Sequence, residues 1–207
     1  MTKTIQFWDK MAIRSEKQND SDEGKENKTI DRTIKHLNSE QKVLDFGCGI
    51  GGNTCDVAEH VQHVDAFDYS PESIEVSKRK AQRRGIANVD FAVTDLYDER
   101  YQEEGYDVVI AYNILHLIDA PEKAVQRINK LLKPGGLLIS ATGCLGEKKS
   151  FFRMFLSLLS KIGVVPPMTS FSIAELENLV TRGSFEILET EVLDKALTDY
   201  FLVAKKQ

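Results

Sequence analysis

The stretch "VLDFGCGIGGNT", from Val43 to Thr54, decides the fold. An apolar segment runs directly into a turn that carries four glycines and little side-chain bulk. A glycine-rich turn between a strand and a helix lets backbone N–H groups and the helix N-terminus approach a polar ligand closely. The stretch therefore predicts a ligand site at the end of a first strand, with the acidic Asp45 at its edge.

Strand-like and helix-like segments alternate around this turn. The predicted strands are residues 42–46, 63–68, 88–95, 106–113 and 135–142, and the predicted helices are 53–60, 70–85 and 121–132. This alternation indicates a parallel sheet with helices on both faces. After a helix at 172–183, segments 185–193 and 199–206 have so short a connection that they must be antiparallel. The fold class is therefore α/β: a Rossmann-like, doubly wound, mostly parallel seven-stranded sheet with an antiparallel last strand.

Length and composition limit the class of protein. A chain of 207 residues suits one compact domain, and a net charge of -5 argues against a nucleic-acid partner bound through its phosphates. Three cysteines without paired spacing favour a reduced compartment and predict no metal site. The sequence shows no signal-peptide-like start and no bilayer-spanning segment. We expect a cytoplasmic protein without stable membrane insertion, either a monomer or a homodimer.

The N-terminal segment differs in character from the remainder. Residues 1–40 are predicted to form a helical lid with a polar linker, and residues 41–207 form the ligand-binding domain. Two amphipathic pieces, 5–13 and 28–38, have helical spacing of apolar residues. Between them, Arg14 to Lys28 is nearly devoid of apolar residues and is predicted to be a mobile or surface loop.

Two ligand classes fit the glycine turn. Gly47, Gly49 and Gly52 satisfy the dinucleotide pattern G-x-G-x-x-G, and Asp68 lies at a suitable distance for a ribose hydroxyl. An NAD(P)-binding oxidoreductase is therefore the first alternative. Asp45 discriminates between the two, because a carboxylate at this place repels a diphosphate but favours a ligand with a positive ammonium or sulfonium group.

The segment "DFGCGIG", with Asp45, Gly47, Gly49 and Gly51, resembles motif I of the class I S-adenosylmethionine-dependent methyltransferases. The segments "VDAFDYS", "VTDL", "YDVVIAYNILHLI" and "LLKPGGLLIS" resemble the family's later motifs in the same order. The resemblance implies S-adenosylmethionine as cofactor and S-adenosylhomocysteine as product. The cofactor-binding residues that it implies are Asp45, Gly47, Cys48, Gly49, Gly51, Asp68, Tyr69, Asp95, Leu96, Tyr112 and Asn113.

Three of these residues take specific roles from the resemblance. Asp68 accepts from both ribose hydroxyls, since a carboxylate has enough acceptor positions for a vicinal diol. Asp95 accepts from the adenine amino group, and the backbone N–H of Leu96 faces the adenine ring. The resemblance also implies methyl transfer by in-line displacement, in which the protein mainly positions the reactants.

The sequence indicates less about the methyl acceptor than about the methyl donor. The resemblance is closest to small-molecule methyltransferases of the ubiquinone-biosynthesis-like branch, whose chains often begin with a similar "FWDK" segment. It implies that Phe7 and Trp8 cover the cofactor, while packing of Trp8 alone stays open. Phe151, Phe152 and Phe155 form an apolar cluster that either walls an acceptor pocket, contacts a membrane-borne substrate or packs as core. We expect a small-molecule acceptor that is apolar or aromatic.

A general base is needed only if the acceptor must lose a proton. His116 is the candidate, because it follows the fourth strand and an imidazole titrates near neutral pH. Tyr112 lies closer to the strand tip and is a second candidate for a catalytic contact. A purely structural His116 stays open, as does a non-catalytic protein that keeps the fold as a binding module.

Overall fold

The computed structural model describes residues 2–19, 27–147, 165–194 and 198–207. The chain divides into two compact units, Met1–Arg100 and Tyr101–Gln207, and each is described by itself. The predicted boundary between residues 40 and 41 stays a prediction. Within the described residues, no helix combines the length and the apolar character that a bilayer span requires.

The first unit holds three parallel strands. They are β1 (Lys42–Phe46), β2 (His63–Asp68) and β3 (Val89–Val93). Both β1 and β3 pair with β2 in parallel. The bounds of β1 and β2 are those predicted, while β3 ends two residues before Asp95. The functional residues that follow each strand are therefore gathered at one edge of this part of the sheet.

The helices of this unit are α1 (Thr2–Asn19), α2 (Lys28–Thr33), α3 (Gly52–Ala58) and α4 (Pro71–Arg84). Ser70 begins α4 as predicted, because its Oγ accepts a hydrogen bond from the backbone N–H of Ser73 at 3.0 Å. Gly85 ends α4 in the left-handed conformation, also as predicted.

The N-terminal helix is longer than the sequence indicated. Because α1 extends to Asn19, residues 14–19 of the stretch predicted to be a loop are helical. Glu16 explains part of this difference: its carboxylate accepts two hydrogen bonds from Arg79 on α4, at 2.9 and 3.1 Å. A tertiary ion pair of this kind leaves no trace in local composition. Residues 20–26 lie outside the described residues.

The second unit holds the remaining strands and two longer helices. The strands are β4 (Tyr106–Tyr112), β5 (Leu132–Gly143), β6 (Phe185–Asp194) and β7 (Asp199–Lys206). The helices are α5 (Pro121–Leu131) and α6 (Ile173–Arg182). Strand β5 is parallel to β4, while β7 is antiparallel to both β5 and β6.

The strand order across the sheet is β3-β2-β1-β4-β5-β7-β6. The predicted fold class, a mostly parallel seven-stranded sheet whose last strand is reversed, is confirmed. The reversed strand β7 does not lie at the sheet edge but between β5 and β6.

Strand β5 begins earlier than predicted. Its pairing with β4 jumps from Tyr106–Leu132 to Val108–Leu137, so that the residues between form a bulge. The bulge contains Gly135, which has a φ of 75°. The "KPGG" segment is therefore a distortion inside the strand rather than a turn before it.

Candidate cofactor site

The glycine loop between β1 and α3 has two glycines with contrasting surroundings. Gly49 and Gly51 have φ angles of 53° and 71°, which side-chain-bearing residues rarely adopt. A Cβ on Gly51 would lie 2.7 Å from both Cβ and Oγ of Ser77, whereas a Cβ on Gly49 would meet no heavy atom within 4 Å. Gly51 is therefore required for packing against α4, whereas Gly49 borders open space.

Four N–H groups of the loop are already bonded within the protein. The amides of Gly47 and Cys48 both donate to the carbonyl oxygen of Phe67 at 3.0 Å. Gly51 donates to the carbonyl of Cys48 at 3.0 Å. Gly49 donates to Oδ2 of Asp68, also at 3.0 Å. The expectation that these N–H groups face the ligand is wrong at these four positions, and they are not available to a diphosphate.

Asp45 lies beneath the loop and is only 2% exposed. The hydroxyl of Thr54 donates to its Oδ2 at 2.6 Å. Burial raises the pKa of Asp45 to about 7, against the effect of the Thr54 hydrogen bond and with a further contribution from the charge of Asp68. A neighbouring positive charge stabilises the ionised form of such a buried carboxylate and lowers its pKa.

The raised pKa of Asp45 makes stability depend on pH. The folded protein binds the proton more tightly than the unfolded chain, so the free energy of unfolding should fall as pH rises from about 4 to about 7 and then level off. The contribution of this residue is at most about 4 kcal/mol, from the 1.36 kcal/mol per pKa unit. We expect Asp45→Asn to reduce this slope in urea titrations without ligand, while the part that is due to other buried carboxyls such as Asp68 persists. An identical slope in the variant would contradict the prediction.

Asp68 ends β2, and its carboxylate receives hydrogen bonds from the backbone. Its Oδ2 accepts from Gly49 at 3.0 Å and its Oδ1 accepts from the N–H of Ser70 at 2.9 Å. Burial raises the pKa of Asp68, and backbone hydrogen bonds from Ser70, Gly49 and Tyr69 oppose that rise. A carboxylate has about four acceptor positions, so acceptor capacity remains for a hydroxyl of a vicinal diol. Tyr69, which follows, is 45% exposed beside this position.

Asp95 and Leu96 lie in the turn after β3. The Oδ1 of Asp95 accepts from the N–H of Tyr97 at 2.7 Å, which fixes the turn. Thr94 donates its N–H to the carbonyl of Asp68 at 3.2 Å, so this turn lies next to the end of β2. Leu96 is buried while Tyr97 is exposed. The structure thus brings the predicted residues of motif I, Asp68 and Asp95 to one edge of the first unit.

Two residues of the site were missed by the sequence analysis. Thr54 holds Asp45, as described, and Ser77 donates its Oγ to the carbonyls of Gly49 and Ser73, both at 2.9 Å. Ser77 is fully buried on α4. The signal that indicates such a role is a small polar residue on the apolar face of an amphipathic helix. Cys48, by contrast, is half-buried, and burial raises the pKa of its thiol.

The second unit places Tyr112 and Asn113 at the end of β4. Tyr112 is buried, and Asn113 has a φ of 52°, a conformation that asparagine tolerates better than most residues. The N–H of Asn113 donates to the carbonyl of Ala141 at 2.7 Å. This bond holds Asn113 against β5 in a strained conformation of the kind that clusters at functional sites.

His116 lies in a short 3₁₀ turn, Leu115–Leu117. Its carbonyl accepts from the N–H of Thr169 at 2.7 Å, which fixes the turn. The Nδ1 atom is buried and has no hydrogen-bond partner within the described ranges. Burial lowers the pKa of His116, so its imidazole is neutral near pH 7. A neutral imidazole nitrogen is able to accept a proton, which is the chemistry that a general base requires.

The aromatic residues predicted on the acceptor side fall into two groups. Phe7 and Trp8 contact each other on α1, edge to face, with ring centroids 5.1 Å apart. Phe151, Phe152 and Phe155 lie outside the described residues. Their role stays a prediction.

Comparison with known proteins agrees with this geometry. Residues 37–192 match the family described as "Methyltransferase domain". The chain is 29% identical over 174 residues to phosphoethanolamine N-methyltransferase 2 of Caenorhabditis elegans, covering 79% of this chain and 40% of that protein. It is 32% identical over 102 residues to the ubiquinone biosynthesis O-methyltransferase of Methylocella silvestris, covering 49% and 39%. It thus spans about two fifths of each of these relatives.

A solved structure with the same fold is geranyl diphosphate C-methyltransferase from Streptomyces coelicolor A3(2), in complex with Mg²⁺, geranyl diphosphate and S-adenosyl-L-homocysteine. The TM-score is 0.68 with 15% sequence identity, over 86% of this chain and 77% of that one. This similarity concerns the fold alone. Together with the family match over most of its length, the motifs show that the chain belongs to the class I S-adenosylmethionine-dependent methyltransferases.

Proposed function

We propose that this protein transfers the methyl group of S-adenosylmethionine to a small-molecule acceptor. The observation that carries the proposal is the pairing of the buried Asp45 with a glycine loop in which four N–H groups are bonded internally. Such a site suits a cationic ligand and offers little to a diphosphate, which disfavours the NAD(P) alternative. The cofactor supplies a methyl group on a positively charged sulfur, so it is already activated for displacement.

The residues of the first unit hold the donor. Asp68 accepts from the ribose hydroxyls, and Asp95 with the N–H of Leu96 contacts the adenine. Asp45 lies where its charge favours the ammonium group, directly or through Thr54 and water. Gly49 allows the donor to approach the main chain, because any side chain there fills the open space. Tyr69, Tyr112 and Asn113 complete the proposed contacts.

The proposed acceptor is an apolar or aromatic small molecule. The relatives differ in the atom they methylate: one is named an O-methyltransferase, another an N-methyltransferase, and the similar structure a C-methyltransferase. The proposal follows the ubiquinone-type relative, since Phe7 and Trp8 offer an apolar cover. "YNIL" also lacks the Asn/Asp-Pro-Pro-aromatic motif of enzymes that methylate amino groups in DNA bases and glutamine. The cytoplasmic location and the oligomeric state stay predictions.

A thermal-shift titration tests the donor assignment. S-adenosylhomocysteine at 100 times its Kd should stabilise the protein by about 2.7 kcal/mol through mass action, whereas NADH should not. Stabilisation by NADH alone would refute the proposal. Incubation with labelled S-adenosylmethionine and a library of phenols, quinols and amines, read by product mass, then tests turnover. Donor binding without any labelled product would favour the non-catalytic module, and labelling of highly polar acceptors alone would refute the apolar or aromatic acceptor.

His116 is proposed as the general base for an acceptor that loses a proton. We expect His116→Gln to lower kcat by about 100-fold or more, which is the usual contribution of a general base, while the Kd for S-adenosylhomocysteine stays within about twofold. In the wild-type protein the rate should rise with pH through a pKa below 6.5, because burial disfavours the charged ring. The variant should lose this rise.

The matched control for this prediction is His60→Gln. His60 is exposed after α3, and the substitution should leave both the rate and its pH profile unchanged. If His116→Gln instead weakens donor binding or lowers the melting temperature while kcat survives, the histidine has a structural role and the proposal of a base is wrong.

A further inference from the structure

Helix α1 is attached to α4 at two places. Near its C-terminal end, Glu16 pairs with Arg79 on the exposed surface. Near its middle, Asp9 reaches the N-terminus of α4, where its Oδ1 accepts from the hydroxyl of Ser70 at 2.6 Å and from the N–H of Glu72 at 3.4 Å. The first attachment joins two surface side chains, whereas the second lies next to the end of β2.

The attachment at Asp9 completes the N-terminal cap of α4. A helix begins with four N–H groups that have no partner inside the helix. Ser70 accepts from one of them, that of Ser73, and Asp9 accepts from another, that of Glu72. A cap that is shared between a local serine and a residue 61 positions earlier joins α1 and α4 into one hydrogen-bonded unit.

The same serine also contacts the donor site. Its N–H donates to Oδ1 of Asp68, and the other carboxylate oxygen accepts from Gly49 of the loop. A continuous path of hydrogen bonds therefore runs from Asp9 through Ser70 to Asp68 and Gly49. The negative charge of Asp9, after burial, is also among the causes that raise the pKa of Asp68.

We propose that Asp9 is a positioning residue for the donor: it fixes Ser70 so that the carboxylate of Asp68 is oriented toward a vicinal diol. The inference rests on the proposed function and adds a coupling between α1 and the donor site. Docking of α1 and binding of a ribose-containing donor favour each other, and by reciprocity each changes the other by the same factor. The helix that carries Phe7 and Trp8 is thereby held in place when the ribose is bound.

Calorimetric titration with S-adenosylhomocysteine tests whether Asp9 contributes to donor affinity. Asp9→Ala should weaken binding about tenfold, within the usual range of coupling between sites. Asp9→Asn should restore most of it, because both hydrogen bonds use one oxygen, which an amide retains. Glu16→Ala removes the other attachment and should change the Kd by less than about twofold. A general loosening of α1 predicts equal losses in Asp9→Ala and Glu16→Ala, and that result would overturn the proposal.

Binding of a donor analogue that lacks one ribose hydroxyl distinguishes a positioning role of Asp9 from a purely structural role. With the 2′-deoxy analogue of S-adenosylhomocysteine, the penalty of Asp9→Ala should shrink to about twofold or less, because Asp68 has lost one of its two partners. An undiminished penalty with this analogue would contradict the route through Asp68. Failure of the wild-type protein to bind S-adenosylhomocysteine at all would instead refute the proposed function.

The fluorescence of Trp8 tests the reverse effect, that of donor binding on α1. Trp8 is the one tryptophan of the chain and directly precedes Asp9. Saturation with S-adenosylhomocysteine should change its emission and slow amide hydrogen exchange in α1 of the wild-type protein. Both responses should persist in Glu16→Ala and diminish in Asp9→Ala. Unchanged exchange in the wild-type helix on binding would overturn the proposal, even if the alanine variant at Asp9 does not fold.

Discussion

Asp68→Ala is expected to abolish the stabilisation of this protein by S-adenosylhomocysteine. The substitution removes two hydrogen bonds from the proposed ribose contact and also the acceptor of the Gly49 and Ser70 N–H groups. Hydrogen bonds to a charged group contribute about 1.5–3 kcal/mol each, so affinity should fall by about 100-fold or more. Isothermal titration calorimetry of the two proteins measures the change directly.

Asp90→Ala is the matched control for this experiment. Asp90 lies on the neighbouring strand β3, and its side chain is 83% exposed. Its loss should leave both the affinity and the melting temperature unchanged, apart from its weak ion pair with His63. If Asp68→Ala binds the ligand as tightly as Asp90→Ala does, Asp68 does not contact the ribose.

Alanine at Gly51 should mainly lower stability, whereas alanine at Gly49 should mainly lower the affinity for the ligand. Gly51→Ala combines a left-handed backbone with a Cβ 2.7 Å from Ser77, so we expect a loss of about 3 kcal/mol in the free energy of unfolding. Gly49→Ala has the backbone strain without the overlap and should lose about 1 kcal/mol. Its methyl group, however, enters the open space, and affinity for S-adenosylhomocysteine should fall about tenfold or more.

Urea unfolding and calorimetric titration of both variants separate the two effects. Of the two variants, Gly51→Ala should have the lower free energy of unfolding. Gly49→Ala should have the lower affinity for S-adenosylhomocysteine, although it is the more stable of the two. Equal losses of stability would show that Ser77 moves aside. Normal binding by Gly49→Ala would show that the space beside this glycine is not occupied by the donor.

The parts of the fold that depend on local signals could be predicted from the sequence. Strands β1 and β2 have the predicted bounds because each is a short apolar run that ends at a turn signal. Helix α4 begins and ends where Ser70 and Gly85 indicate, because a side-chain cap and a left-handed residue act within one turn of the helix. The reversed β7 followed from the short connection alone.

The parts that depend on distant residues could not be predicted. The extension of α1 is supported in part by the ion pair between Glu16 and Arg79, which lie 63 positions apart. The N–H groups of Gly47 and Cys48 donate to the carbonyl of Phe67 at 3.0 Å. This carbonyl lies close to the loop because β1 pairs with β2. In the same way, Asp9 is an ordinary polar residue in the sequence. Its attachment to Ser70 exists because two helices pack together.

The place of β7 in the sheet has a consequence for the order of assembly. Strand β6 is made on the ribosome before β7, yet among the strands that the structure describes its only partner is β7. Until residues 199–206 have been translated, β6 has no strand to pair with and the outer edge of β5 stays open. Unpaired strand edges of this kind favour aggregation of nascent chains. The second unit therefore completes its sheet in one late step, when a single strand closes both open edges together.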